Sequence, residues 1–135
     1  KMKLPKPKKI SISKLKKDAW KAFSLWIRTR DKWTCYTCGT KYPPRTMGLH
    51  AGHFVSRVHN STFLDSINVH AQCAACNLWK YGEHGKYAEN LIRDYGIEAF
   101  QDLLKRGRQI KQFQPQELID LKVKYQNLLK ELVDN

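Results

Sequence analysis

The chain is 135 residues long, enough for one domain, and its 41% apolar content supports a modest core. A formal charge of +13 points to a polyanionic partner, most often nucleic acid. No apolar run reaches the ~18 residues of a membrane span, so a soluble protein with no membrane partner is expected.

The charge is concentrated at the start. Residues 1–32 hold twelve Lys/Arg against Asp18 and Asp31, a balance of +10, which leaves +3 for the other 103 residues. Residues 1–12 are basic and Pro-broken and read as a flexible tail. They lack the apolar stretch of a secretory signal. A basic helix is expected over 13–31, with Ser13 as N-cap. Leu15, Ala19, Ala22, Phe23, Trp26 and Ile27 share one side of it, and Lys14, Lys17, Lys21 and Arg28 follow another stripe. One face can pack while the other meets DNA phosphates, and Arg57 and Lys80 are further candidates for that contact.

Residues 33–81 hold the chemistry. All four cysteines fall in two Cys-x-x-Cys pairs, Cys35/Cys38 and Cys73/Cys76. Each pair supplies two sulfurs from one tight turn, so together they close a tetrahedral thiolate cage for a structural Zn2+. The alternative, two disulfides, suits a secreted protein, and the chain opens on no signal. Between the pairs, Leu49–Val55 and Ser66–Gln72 read as short strands joined by a loop over 57–65. A helix follows from Cys76, with Leu78, Trp79 and Tyr81 as apolar bulk. The tryptophans read mainly as core.

Residues 82–135 read as helical. Tyr87, Leu91, Ile92 and Tyr95 mark one helix closed by Gly96, and Ile97, Phe100, Leu103 and Leu104 a shorter one. The last has Pro115 in its first turn and a 3-4-3-4 seam of Leu118, Leu121, Tyr125, Leu128 and Leu132. At under three heptads, the seam suits packing within the chain better than a zipper.

The zinc staple brings the intervening histidines into one unit. A neutral His53 beside a phosphate can take a proton from water. Asn77, next to Cys76, can offer an oxygen to a hard divalent cation or equally cap a helix.

The words Cys35-x-x-Cys38-Gly39, Ala51-Gly52-His53 and Asn68-x-His70-x-Gln72-Cys73-x-x-Cys76-Asn77 carry a resemblance. The region 35–77 resembles the HNH endonucleases in their four-cysteine form, the ββα-metal fold. With its helical tail, the chain from about residue 15 is similar to the NinG/Rap recombination family of lambdoid phages. The resemblance implies a structure-selective endonuclease acting on Holliday junctions and D-loops, with His53 as general base and Asn77 as ligand of a catalytic Mg2+ or Mn2+. It places Asn68 where an asparagine orients the base or its loop. Many HNH enzymes carry an aspartate before the base, where this chain has Gly52. His50 is the nearest replacement ligand, although positions 50 and 53 have opposite strand parity unless a bulge at Ala51-Gly52 intervenes. Glu83 or His84 could complete that site. His70 has no assigned role, and His59 and His84 read as surface.

The expected architecture is therefore α+β and mostly helical: a zinc-stapled ββα core with flanking helices. The expected reaction is hydrolysis of a DNA phosphodiester in the cytoplasm of a bacterial host. Symmetric cutting of a four-way junction implies a homodimer, and recombination proteins are natural partners. The competing readings are a zinc-containing DNA-binding module without catalysis and a sequence-specific HNH nuclease of restriction or homing type.

Overall fold

The structure is a computed structural model that describes residues 2–5 and 9–134. In chain order the elements are α1 (Ile12–Arg30), β1 (Leu49–His53), α2 (Asn60–Phe63), β2 (Val69–Cys73), a π-helical turn (Ala75–Trp79), α3 (His84–Tyr95), α4 (Ile97–Gly107) and α5 (Pro115–Asp134). Helix dominates, with one small sheet. Of the expected tail, residues 1 and 6–8 lie outside the described residues, and the others before residue 12 are irregular and exposed. None of the described helices is long and apolar enough to cross a membrane.

Helix α1 begins one residue earlier than expected, because Ser11 and not Ser13 caps it by accepting from the Lys14 N–H. At its other end, Asp31 accepts from the Ala71 N–H at 2.8 Å. The neighbouring Arg30 donates to the Ser66 and Val69 carbonyls. These bonds, with Tyr36 N–H on the Ala71 carbonyl, occupy the outer edge of β2 that would otherwise stay unpaired.

Strands β1 and β2 pair antiparallel from Leu49↔Cys73 to His53↔Val69 without interruption. The bulge at Ala51-Gly52 that would bring His50 and His53 to one face is absent, and both strands are shorter than expected. Alternation gives the ribbon two buried faces. Ala51 and Val69 pack with Phe23 and Ile27 of α1 and Tyr125 of α5. On the opposite face His70 meets Tyr87 of α3, which packs with Leu91 and with Leu103 of α4. The α5 seam lies against α1 through Leu118, Leu121, Tyr125 and Leu128, whereas Leu132 is exposed. The expected loop over 57–65 contains the single turn α2, whose Phe63 joins the α1 core.

Candidate functional site

The cysteine pairs meet at one end of the ribbon. All four sulfurs lie within 4.8 Å of one another. Cys38 Sγ is 3.8 Å from Cys73 Sγ, too far for a disulfide and close to the ~3.8 Å edge of a tetrahedron with ~2.3 Å Zn–S bonds. Burial pushes the Cys35 thiol up, but the Cys73 backbone and the Thr37 hydroxyl hydrogen-bond to it and bring it down to about 6. Cys76 is pushed up to about 12, first by burial. One thiolate thus forms readily while a neighbour resists, as expected where four sulfurs crowd together without a cation. Zinc fits this donor set.

At the opposite end of β1 opens a cleft of about 350 Å³, lined by His53, Arg57, Asn77, Tyr81 and His84 with Trp20 as one wall. His53 stacks on Trp20 (4.9 Å) and on Phe63 (5.2 Å). Its Nε2 lies 3.0 Å from the Phe63 carbonyl. A carbonyl can only accept, so Nε2 carries the proton and Nδ1 keeps the lone pair. Burial, opposed by that hydrogen bond and helped by Arg57 and Lys16, lowers the His53 pKa to about 4. The imidazole is therefore neutral at pH 7.

Asn68 is fully buried, and its side chain hydrogen-bonds elsewhere than to His53. Its Oδ1 accepts from the Val55 N–H at 2.6 Å, and its Nδ2 donates to the Val55 and Thr62 carbonyls, both at 3.0 Å. It ties the segment after β1 to the turn bearing Phe63.

Asn77 reaches the cleft from the π-helical turn. His50 leaves β1 on the face opposite to His53, as parity requires, and its Nδ1 lies 3.1 Å from Asn77 Nδ2. The Oδ1 of Asn77 turns toward Gly52, as does Gln72 Oε1. Tyr87 donates to the Gly52 carbonyl at 2.7 Å and fixes that stretch from beneath. Glu83 does not line the cleft, but His84 does, against Phe54.

The expected phosphate contacts divide between two surfaces. Lys17 lines a depression of about 260 Å³ that shares Trp20 and Arg57 with the cleft. Lys16, absent from the expected set, lines it too. Its pKa is lowered by burial and then by Arg57, which marks two cations held close together. Lys14 and Lys21 instead line a separate groove between α1 and α5, where Lys14 pairs with Asp18. Arg28 donates to the Ser24 carbonyl and packs over Trp33, so its guanidinium serves the fold. Lys80 is exposed. Among the described residues no carboxylate lines the cleft or the depression.

One further expectation changes, and His70 gains a role. Leu78, Trp79 and Tyr81 are not core: Trp79 is 78% and Tyr81 88% exposed, at and just after the π-helical turn, and Leu78 and Tyr81 line the cleft. His70 bonds Tyr95 at 3.0 Å and stacks on Tyr36, which makes it a core residue between β2 and α3. Lys16 and Trp20 carry a signal that sequence reading passed over, since a spacing of four places both on the turn of α1 that faces Phe63.

A family model described as "Bacteriophage Lambda NinG protein" matches residues 1–135. Protein ninG of Escherichia phage 933W is 32% identical over 118 residues, covering 86% of this chain and 57% of that protein. Protein ninG of Salmonella phage P22 is 31% identical over 121 residues, covering 88% and 58%. The counterpart in Escherichia phage lambda is 30% identical over 118 residues, covering 86% and 56%. The chain thus spans less than three fifths of these curated relatives. No solved structure matches it.

Proposed function

The chain belongs to the bacteriophage NinG family, and from that premise we propose that it is a metal-dependent endonuclease of the HNH type that cleaves branched DNA. The observation that carries this reading is the cleft itself. The neutral imidazole of His53 and the side chain of Asn77 line it together, with Arg57 and Lys16 at its side and no carboxylate among the described residues to repel a phosphate.

His53 Nδ1 takes a proton from a water, whose oxygen attacks phosphorus as the bond to the 3′ oxygen breaks. The departing 3′ oxygen takes a proton from solvent, so the products carry 5′-phosphate and 3′-hydroxyl ends. A phosphate entering beside Arg57 and Lys16 offsets their charge and raises the basicity of His53, so the base strengthens when substrate is present. The Phe63 carbonyl fixes its tautomer, and Trp20 and Phe63 hold its plane. Asn77, with His50 beside it, would hold the divalent cation. Once bound, such a cation neutralises charge on the phosphate and the leaving oxygen.

Lys16, Lys17 and Arg57 neutralise backbone charge without reading sequence, which suits recognition of shape. Exposed Trp79 and Tyr81 offer ring faces to unstacked bases at a branch. Two copies would be needed to cut a four-way junction symmetrically.

The test is cleavage of four-way junctions and linear duplex in Mg2+ or Mn2+, comparing wild type with His53→Ala. Branch-directed cutting by wild type, lost in the variant at equal DNA affinity, is expected. Binding without cutting in either metal would leave a zinc-containing DNA-binding module, and cutting at a fixed sequence away from the branch would indicate a restriction-type nuclease.

A further inference from the structure

Lys14, Lys16 and Lys17 open α1, whose first turn holds no acidic residue. The helix macrodipole already puts partial positive charge at that end, so cations there oppose the helix and do not serve its stability. Successive residues turn by about 100° around a helix, so Lys14 and Lys16 leave α1 about 160° apart. Lys16 Nζ reaches Asn60 Oδ1 at 2.7 Å and lies over the Phe63 ring, on the cleft side. Lys14 turns to the other flank, toward α5.

That flank is a groove of about 530 Å³ between the two helices. They run parallel, since Leu15 packs with Leu118 and Phe23 with Tyr125. Lys14, Asp18 and Lys21 share one stripe of α1 at helical spacing and face Lys122 of α5. Asp18 is the one carboxylate among the described lining residues, and it pairs with Lys14 at 2.9 Å. That hydrogen bond, then the charges of Lys14, Lys122 and Lys21, hold its carboxyl below the usual range against the effect of burial. All three ammonium groups therefore act on one space. Lys21 and Lys122 form no ion pair among the described residues, so the groove keeps positive charge that its own carboxylate does not balance.

We propose that this groove holds the phosphate backbone of a second duplex arm, through Lys14, Lys21 and Lys122, while a first arm lies across Lys16, Lys17 and Arg57 at the cleft. The proposal rests on the nuclease reading above, which places the first arm. Helix α1 then stands as a wedge between two arms. Duplex DNA is stiff over such distances, so a straight duplex engages one flank and a branch engages both. The contacts are to backbone alone, so a single protomer reads branch shape without reading bases. Lys14 exchanges Asp18 for phosphate when the arm enters, so Asp18 tempers the affinity of this surface.

The experiment measures binding of a four-way junction and of a linear duplex by fluorescence anisotropy across a salt series. It uses the zinc-loaded chain in a His53→Ala background, so that neither DNA is cut. Combining Lys14→Gln, Lys21→Gln and Lys122→Gln should weaken junction binding about tenfold or more and lower its salt slope by about two to three. Binding of linear duplex should change by less than about twofold, because the cleft side still takes it. Lys16→Gln with Lys17→Gln should weaken both substrates. Asp18→Asn should strengthen junction binding alone, a gain that a merely solvated face would not show. Should the triple variant fail to fold, Asp18→Asn and Lys122→Gln decide the matter. Equal weakening of duplex and junction, as for one duplex spanning both flanks, overturns the proposal. So does unchanged junction binding, and so does a fall in molecular mass by light scattering, which would mean that the groove seats a second copy. Parallel cleavage assays with His53 intact separate the two readings. Branch cutting that is indifferent to the groove lysines sinks this surface alone, whereas junction-selective binding through them without any cutting sinks hydrolysis alone.

Discussion

Replacing Asn68 by alanine tests how the fold holds the base. The change removes three hydrogen bonds and leaves the Val55 N–H, the Val55 carbonyl and the Thr62 carbonyl to find other partners. The Thr62 group is buried and the Val55 groups partly so. At about 1–3 kcal/mol for each buried polar group left unpaired, and less where water reaches Val55, the loss is about 3–5 kcal/mol. That is a large share of the 5–15 kcal/mol typical of a domain. Equilibrium urea unfolding of the zinc-loaded protein measures it. The same loop carries Phe63, whose carbonyl and ring hold His53. Loosening it should let water in and bring the His53 pKa up from about 4 toward its ordinary value, as followed by NMR titration. Asn68→Asp keeps the acceptor for the Val55 N–H and should cost less than alanine unless its charge stays unpaired. A loss below about 1 kcal/mol for Asn68→Ala, or an unmoved His53 titration, would refute the assignment of Asn68 to the loop.

Removing the metal from the cysteine cage with a chelator should unfold the core. Structural zinc contributes about 10–16 kcal/mol in small domains, and metal analysis with near-ultraviolet dichroism should show one zinc per chain and collapse on its loss. Acid should destabilise the protein through His70, whose pKa is lowered to about 3 by burial and then by Arg30. The unfolded chain binds this proton below about 6.5 and the native state only near 3, so stability falls as pH drops across that window, by roughly 3–5 kcal/mol at its foot. Urea midpoints for wild type and His70→Gln between pH 7 and 4, with zinc occupancy monitored, should show the shallower slope in the variant. For catalysis, the acid limb of kcat/KM should follow the free-enzyme His53 at about 4. Arg57→Gln should move that limb upward by only part of the distance to 6.5, because burial is the larger cause.

The helical segments were legible because their apolar positions repeat at helical spacing, and the cage because its four ligands are all the cysteines present. Less legible was whatever depends on how elements meet. Leu78, Trp79 and Tyr81 look like core by composition, yet all three are exposed, at and just after a π-helical turn. Nothing in the basic stripe of α1 tells that α5 would take one side of it, so Lys14 and Lys21 part company with Lys17. Gln72 shows why a polar residue in a strand deserves scrutiny. Parity places it beside His50, but only the packed structure shows that one end of its amide is satisfied and the other is not.

The ribbon of β1 and β2 is five residues long and buried on both faces, with His53 serving one face and His50 the other. Adding or removing a single residue there would swap the two histidines between faces, a change that no side-chain repacking could undo. The exposed stretch over 43–47, tethered by the cage before it and by β1 after it, has no such constraint. Changes of length in this protein should therefore be tolerated in that turn and be lethal to the ribbon a few residues further on.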